Sequence, residues 1–148
     1  MKAIKITMAT LLLILAYALA AEDTAASQSV YAGLYTQHYS GSEDYNEDNR
    51  VIQYQYNDSG LFYGAATFKN SYSVRSYQAG AGRCWQDGQG ELGAGVSVVY
   101  GYKGYLTTVG LGLIIVPGVY YEYKLGSTIG VKMIVMPSVY NIGFNYAF

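Results

Sequence analysis

Leu92-Gly93-Ala94-Gly95-Val96-Ser97-Val98-Val99-Tyr100-Gly101-Tyr102 decides the fold class of this chain, because its residues alternate in bulk with a period of two. Leu92, Ala94, Val96, Val98, Tyr100 and Tyr102 fall on one face, and Gly93, Gly95, Ser97, Val99 and Gly101 on the other. Such alternation is the mark of a β-strand with two different surroundings. The last run repeats it, with Tyr140, Ile142, Phe144, Tyr146 and Phe148 against Asn141, Gly143, Asn145 and Ala147. Near the middle, Val109, Leu111, Leu113 and Ile115 oppose Thr108, Gly110, Gly112 and Ile114. Eight such runs are expected, at 30–38, 50–57, 61–69, 73–85, 91–102, 106–123, 127–136 and 138–148. Turn chemistry separates them, as in Asn57-Asp58-Ser59-Gly60, Asn70-Ser71, Lys103-Gly104 and Leu125-Gly126.

A soluble barrel turns its apolar face inward and a polar face to water. Here the second face is neither charged nor bulky: it is mostly Gly, Ser, Thr, Asn and Ala. Charged residues make up 13% of the 148, about half the usual share for a soluble protein. A face of Leu, Val, Ile and Phe ending in tyrosines suits lipid on the outside, with aromatic girdles at both interfaces. The expected fold is therefore all-β, an eight-stranded antiparallel transmembrane β-barrel of the outer-membrane type.

Composition excludes other classes. A single cysteine forms no internal disulfide framework, and one His with one Cys is poor material for a zinc site. A net charge of −1 with nine basic residues gives no electrostatic footprint for nucleic acid. No metal and no cofactor is implied. Low charge combined with many aromatics also argues against disorder.

The N-terminus reads as a signal peptide over residues 1–20. Lys2 and Lys5 precede an uncharged run from Ile6 to Leu19, and Ala18-Leu19-Ala20 supplies a small-x-small cleavage pattern. Cleavage before Ala21 would leave the barrel as residues 21–148, destined for the outer membrane of a Gram-negative-type cell. The final stretch, Asn141 to Phe148, resembles the signal by which outer-membrane barrels are handed to their assembly machinery. That machinery is an expected partner, and the barrel itself is expected to be a monomer.

With both termini in the periplasm, odd-numbered connections face outward. His38, at the end of the first strand, then shares a rim with Asn70 and Ser71, in the third connection. A histidine beside a hydroxyl offers a base and its partner for acyl transfer. The same residues also suit an interfacial histidine and an ordinary turn serine.

Tyr35-Thr36-Gln37-His38, Tyr45-Asn46-Glu47 and the segment Gly60-Leu61-Phe62-Tyr63-Gly64-Ala65-Ala66-Thr67-Phe68-Lys69-Asn70-Ser71-Tyr72 together resemble the lipid A palmitoyltransferase (PagP) family. Ala79-Gly80-Ala81-Gly82 and the closing aromatic strand follow in the same order, so the resemblance covers most of the mature chain. It implies an acyltransferase taking a chain from a phospholipid donor to lipid A or a related lipopolysaccharide acceptor. By position, His38 and Ser71 match the family's essential His and Ser, and Asn70 stands where the family has an essential Asp. An amide orients an imidazole through a hydrogen bond, but it does not stabilise imidazolium as a carboxylate does. The short stretch from Ala21 to Ser29 is a second departure, since it leaves no room for the family's amphipathic periplasmic helix.

Gly82 matches the family glycine at the floor of the acyl pocket. More broadly, Gly80, Gly82, Gly93, Gly95, Gly110, Gly112, Gly130 and Gly143 fall on the expected inner face. Their lack of side chains either opens a hollow for an acyl chain or relieves crowding. Pro117 and Pro137 sit where family prolines open a lateral gate for lipid; in bland terms they mark a bend and a turn. Glu43, Asp44, Glu47 and Asp48 form an acidic loop better read as solvated than as a cation site. Arg50, Arg75 and Arg83 are candidates for lipid phosphates or for simple snorkelling, and Cys84 for a small buried filler. The competing reading is a non-catalytic barrel of the same descent with a binding, exclusion or structural role.

Overall fold

The computed structural model describes residues 26–40, 44–102 and 112–148. The expected signal peptide, Glu43, the Lys103-Gly104 turn and the first part of the sixth run lie outside the described residues. Eight strands appear in chain order: β1 Ser27–His38, β2 Ile52–Asp58, β3 Leu61–Lys69, β4 Arg75–Asp87, β5 Gly90–Tyr100, β6 Leu113–Lys124, β7 Ile129–Met136 and β8 Val139–Ala147. Each is antiparallel to its neighbour, and β1 pairs with β8 from Ser29↔Ala147 to His38↔Val139, closing the barrel. Closure removes the sheet edges that lipid could not satisfy.

The two faces separate as the alternation requires. Val30, Leu34, Ile52, Val96, Val98, Ile115 and Met133 are exposed on the outside. Tyr56, Tyr63, Tyr121, Tyr123 and Tyr146 ring the end that carries both chain ends, while Tyr35, Tyr77 and Tyr100 ring the opposite end. A band of aliphatic side chains between two aromatic belts is the pattern a bilayer selects.

Inside, the half nearer the chain ends is filled by a polar network. Lys132 is fully buried; its Nζ donates to Gln55 Oε1 at 2.8 Å, stands 3.9 Å from Glu122 Oε2 and lies 3.9 Å from the centre of the Tyr120 ring. The Tyr120 hydroxyl donates to Glu91 Oε1 at 2.7 Å and accepts from Gln55 Nε2 at 2.9 Å. Asn57 and Gln86 also donate to Glu91, and Asn145 donates to Glu122 at 2.8 Å. Burying charge in a narrow barrel costs too much unless each group is paired and hydrogen-bonded. Here the two carboxylates share one lysine, several amides and one phenol.

Most inner glycines seat this filling and do not leave space. A Cβ at Gly93 would collide with the Tyr120 ring, and one at Gly130 with the Glu122 side chain. Gly82 and Gly95 together receive the ring of Phe62. Of the two readings open at these positions, relief of crowding describes the plugged half.

Two seams stay open at the far end. β6 and β7 pair only from Val119↔Val135 to Lys124↔Gly130, so Leu113–Gly118 has no ladder partner on the β7 side. β7 stops at Met136, and Pro137-Ser138 turns the chain into β8. Pro117, within the unpaired stretch, has no N–H with which to extend a ladder. β1 and β2 likewise pair only from Ser27↔Asn57 to Ala32↔Ile52; Gly33 N–H still reaches Val51 O at 2.8 Å, after which the strands part.

Lys132→Met removes the cation but keeps the length of the side chain. It should lower stability by about 3–5 kcal/mol, because two buried carboxylates lose their counter-charge. Urea titration of the folded, fast-migrating gel band measures this, and adding Glu122→Gln to Lys132→Met should recover part of the loss. Equal midpoints for wild type and Lys132→Met would contradict the network's role.

Candidate functional site

His38 is the last residue of β1, and the tight turn after β3 carries Asn70 and Ser71 to the same rim. The structure brings the two together: His38 Nε2 lies 2.8 Å from Ser71 Oγ, across 33 residues of sequence. Residues 45–47 of the connection from β1 to β2 fold over them. Asn46 N–H donates to Ser71 O at 2.8 Å, and Glu47 Oε1 accepts from the His38 N–H at 3.3 Å. The Tyr45 ring stacks at a tilt on His38 at 4.7 Å, and Tyr72 meets Tyr45 edge-on at 5.9 Å. A histidine under an aromatic roof is shielded from bulk water, which strengthens its hydrogen bond to the serine.

Asn70 is completely buried, and its amide is saturated. Nδ2 donates to Ser76 Oγ and to Gly101 O, both at 3.0 Å, while Oδ1 accepts from Tyr72 N–H at 2.9 Å and Val74 N–H at 3.1 Å. An amide has two donors and two acceptor positions, so nothing is left over for His38 or Ser71. The orientation that Asn70 supplies is indirect: it fixes the turn on which Ser71 rides. His38 Nδ1, for its part, has no hydrogen-bond partner among the described residues. Among the described residues, no carboxylate occupies the third position of a base-orienting triad.

Gly101 brings in a residue that the alternation had assigned to the lipid face. Continued period two puts Tyr102 outside with Tyr100, but β5 ends at Tyr100 and Gly101 takes φ +125°, a conformation open chiefly to glycine. The phase is lost there. Tyr102 turns inward, meets Tyr72 edge-on at 6.1 Å and lines the same cavity as Ser71. Burial raises this phenol above its ordinary value, and the contacts to Ser71 pull it partly back. Near neutral pH it is therefore a hydrogen-bond donor. A glycine directly after the last aromatic of a strand was the available signal.

Below the His38–Ser71 pair lies a cavity of about 260 Å³ lined by Phe62, Ala66, Phe68, Val99, Ile114 and Met136, among others. Phe62 and Tyr120, edge to face at 5.4 Å, close its lower end. Gly82 is beneath Phe62 and does not reach the cavity wall, so the floor is aromatic. Pro117 and Pro137 both border the cavity, at the open β6–β7 seam.

The remaining candidates are placed as follows. Cys84 is buried on the inner face. Asp48 pairs with Arg50 at 2.9 Å on the exposed connection, and Arg75 and Arg83 are on the outer face of β4. Among the described residues, no three His, Cys, Asp or Glu side chains gather as a metal ion requires.

No family model and no curated protein matches this chain. Among solved structures, a barrel from the de novo design of transmembrane β-barrels is similar at TM-score 0.58 and 16% identity, covering 86% of this chain and 99% of that one. Ail, the attachment invasion locus protein of Yersinia pestis, gives TM-score 0.44 and 15% identity over 83% of this chain and 97% of its own; that crystal structure holds the heparin analogue sucrose octasulfate. At these identities the likeness is one of fold. The chain is a closed eight-stranded antiparallel barrel of the transmembrane, outer-membrane type.

Replacing Asn70 by Asp puts a carboxylate oxygen where an amide now donates to the Gly101 carbonyl. The expected cost is about 1–3 kcal/mol, the penalty for unpairing buried polar groups. Thermal unfolding of the refolded variant in detergent checks this, with a lowered midpoint as the expected result.

Proposed function

We propose that the protein is an outer-membrane acyltransferase of the lipid A palmitoyltransferase type. The single observation that carries the proposal is the 2.8 Å contact between His38 Nε2 and Ser71 Oγ at the mouth of a largely apolar cavity in the lumen. An acyl chain in that cavity would place its ester carbonyl beside the pair. The acceptor hydroxyl of lipid A loses its proton to His38 as it attacks the carbonyl of the phospholipid ester. The tetrahedral intermediate then expels the lysophospholipid alkoxide, which takes the proton back from the imidazolium. Ser71 is the hydroxyl partner of His38, and the Tyr102 phenol is a donor for the negative charge that builds on the carbonyl oxygen. Pro117 and Pro137 would flank the route by which the donor chain enters from the bilayer.

A second reading has one observation in its favour. Asn70 is spent on the turn and His38 Nδ1 lacks a partner among the described residues, which suits a non-catalytic barrel that has kept the geometry of an enzyme. The two readings separate in a host lacking its own lipid A acyltransferase. Expression of the assembled barrel should add one acyl mass to lipid A in mass spectra. His38→Ala and Ser71→Ala should each reduce that product by about 100-fold or more, the usual worth of an acid–base group. A correctly assembled barrel that leaves lipid A unchanged would sink the enzyme reading.

The floor sets a further expectation. Phe62→Ala opens the space above Gly82 and Gly95, so the added chain should lengthen by several carbons in the same mass spectra. An unchanged chain from an active Phe62→Ala variant would remove Phe62 as the limit.

A further inference from the structure

Lys69 and Arg75 are direct cross-strand partners at the last pair of the β3–β4 ladder, immediately flanking the turn that carries Ser71. Both are exposed, and strand alternation puts both on the lipid-facing side, next to Tyr77 of the aromatic belt. Side chains opposite one another in such a pair have Cβ atoms about 4.5–5.5 Å apart, and like charges so placed repel. The ion pairs within 4 Å among the described residues are Arg50–Asp48 and Lys132–Glu122, so neither cation takes part in one.

From this juxtaposition we infer that Lys69 and Arg75 form a clamp for a phosphomonoester carried on a lipid headgroup at this rim. Charge selects the class of ligand. A phosphomonoester carries about −1.5 to −2 at neutral pH, which matches two cations, whereas a zwitterionic phospholipid brings no net charge. The guanidinium binds two phosphate oxygens in its planar fork, and the ammonium serves as a point charge. A lipid held there has its headgroup within one hairpin turn of Ser71, which suits the acceptor glycolipid of the proposed reaction. The inference rests on that reading only for the rim that faces outward; the binding itself does not need catalysis.

The test uses the full barrel in phosphatidylcholine nanodiscs and scores retained lipid by native mass spectrometry. The probes are diphosphoryl lipid A, its enzymatically dephosphorylated form, phosphatidylethanolamine and inorganic phosphate. Wild type should prefer phosphorylated over dephosphorylated lipid A by about tenfold, and added salt should shrink the preference. Lys69→Gln/Arg75→Gln should abolish it, each single variant should reduce it, and Arg50→Gln should leave it intact. A preference that survives the double variant, or one lost equally in Arg50→Gln, overturns the clamp. Displacement of lipid A by inorganic phosphate at equal concentration overturns its restriction to a lipid-borne group. Retained preference without acyl transfer would leave the clamp standing and remove the enzyme reading; acyl transfer without preference would do the reverse.

Discussion

A lysine with no access to solvent governs how the inside of this barrel is divided. Lys132 is satisfied by Gln55, Glu122 and the face of Tyr120, and through Tyr120 and Gln55 it is tied to Glu91 and Asn57. These side chains come from β2, β5, β6 and β7, so the network crosses the lumen as a strut. Its upper surface is the ring of Tyr120 with Phe62 against it, and the cavity begins there. Solid below and hollow above, the barrel gets its ligand-sized space from where the polar filling stops.

The hollow end pays for its access in backbone pairing. β6 and β1 each run past the point where their neighbours stop, and the sheet opens on both sides of the cavity. Within a bilayer an unpaired backbone group costs several kcal/mol unless it faces protein or a lined cavity, which is where these openings are found. The site uses the region of the fold with the weakest internal constraint, and the network supplies the rigidity elsewhere.

Much of this architecture could be read from the sequence, for definite physical reasons. Two unlike solvents, lipid outside and packed side chains inside, impose period two on every strand, and six of the eight expected runs begin within two residues of the observed strands: 50–57, 61–69, 73–85, 91–102, 127–136 and 138–148. Counting connections was enough to put His38 and Ser71 on one rim. What alternation does not carry is phase beyond a strand's last residue, and Tyr102 was assigned to the wrong face because Gly101 resets it. Nor does it carry partnership between distant residues. Lys132 and Gln55 are 77 positions apart, and no local pattern marks them as bonded. Gly82 shows the limit of a positional match: the glycine is on the inner face as expected, but Phe62 has taken the place above it.

The half-length seam between β6 and β7 also has a mechanical meaning. A closed cylinder resists any change of diameter, because widening must stretch or break ladder bonds around the whole circumference. One slit from its rim partway down behaves as a collet, spreading at the cut end by bending alone while the uncut end keeps its bore. Spreading of this kind breaks no hydrogen bond in the ladders described, since none spans the cut. The entrance can therefore vary in width while the strut at Lys132 stays fixed.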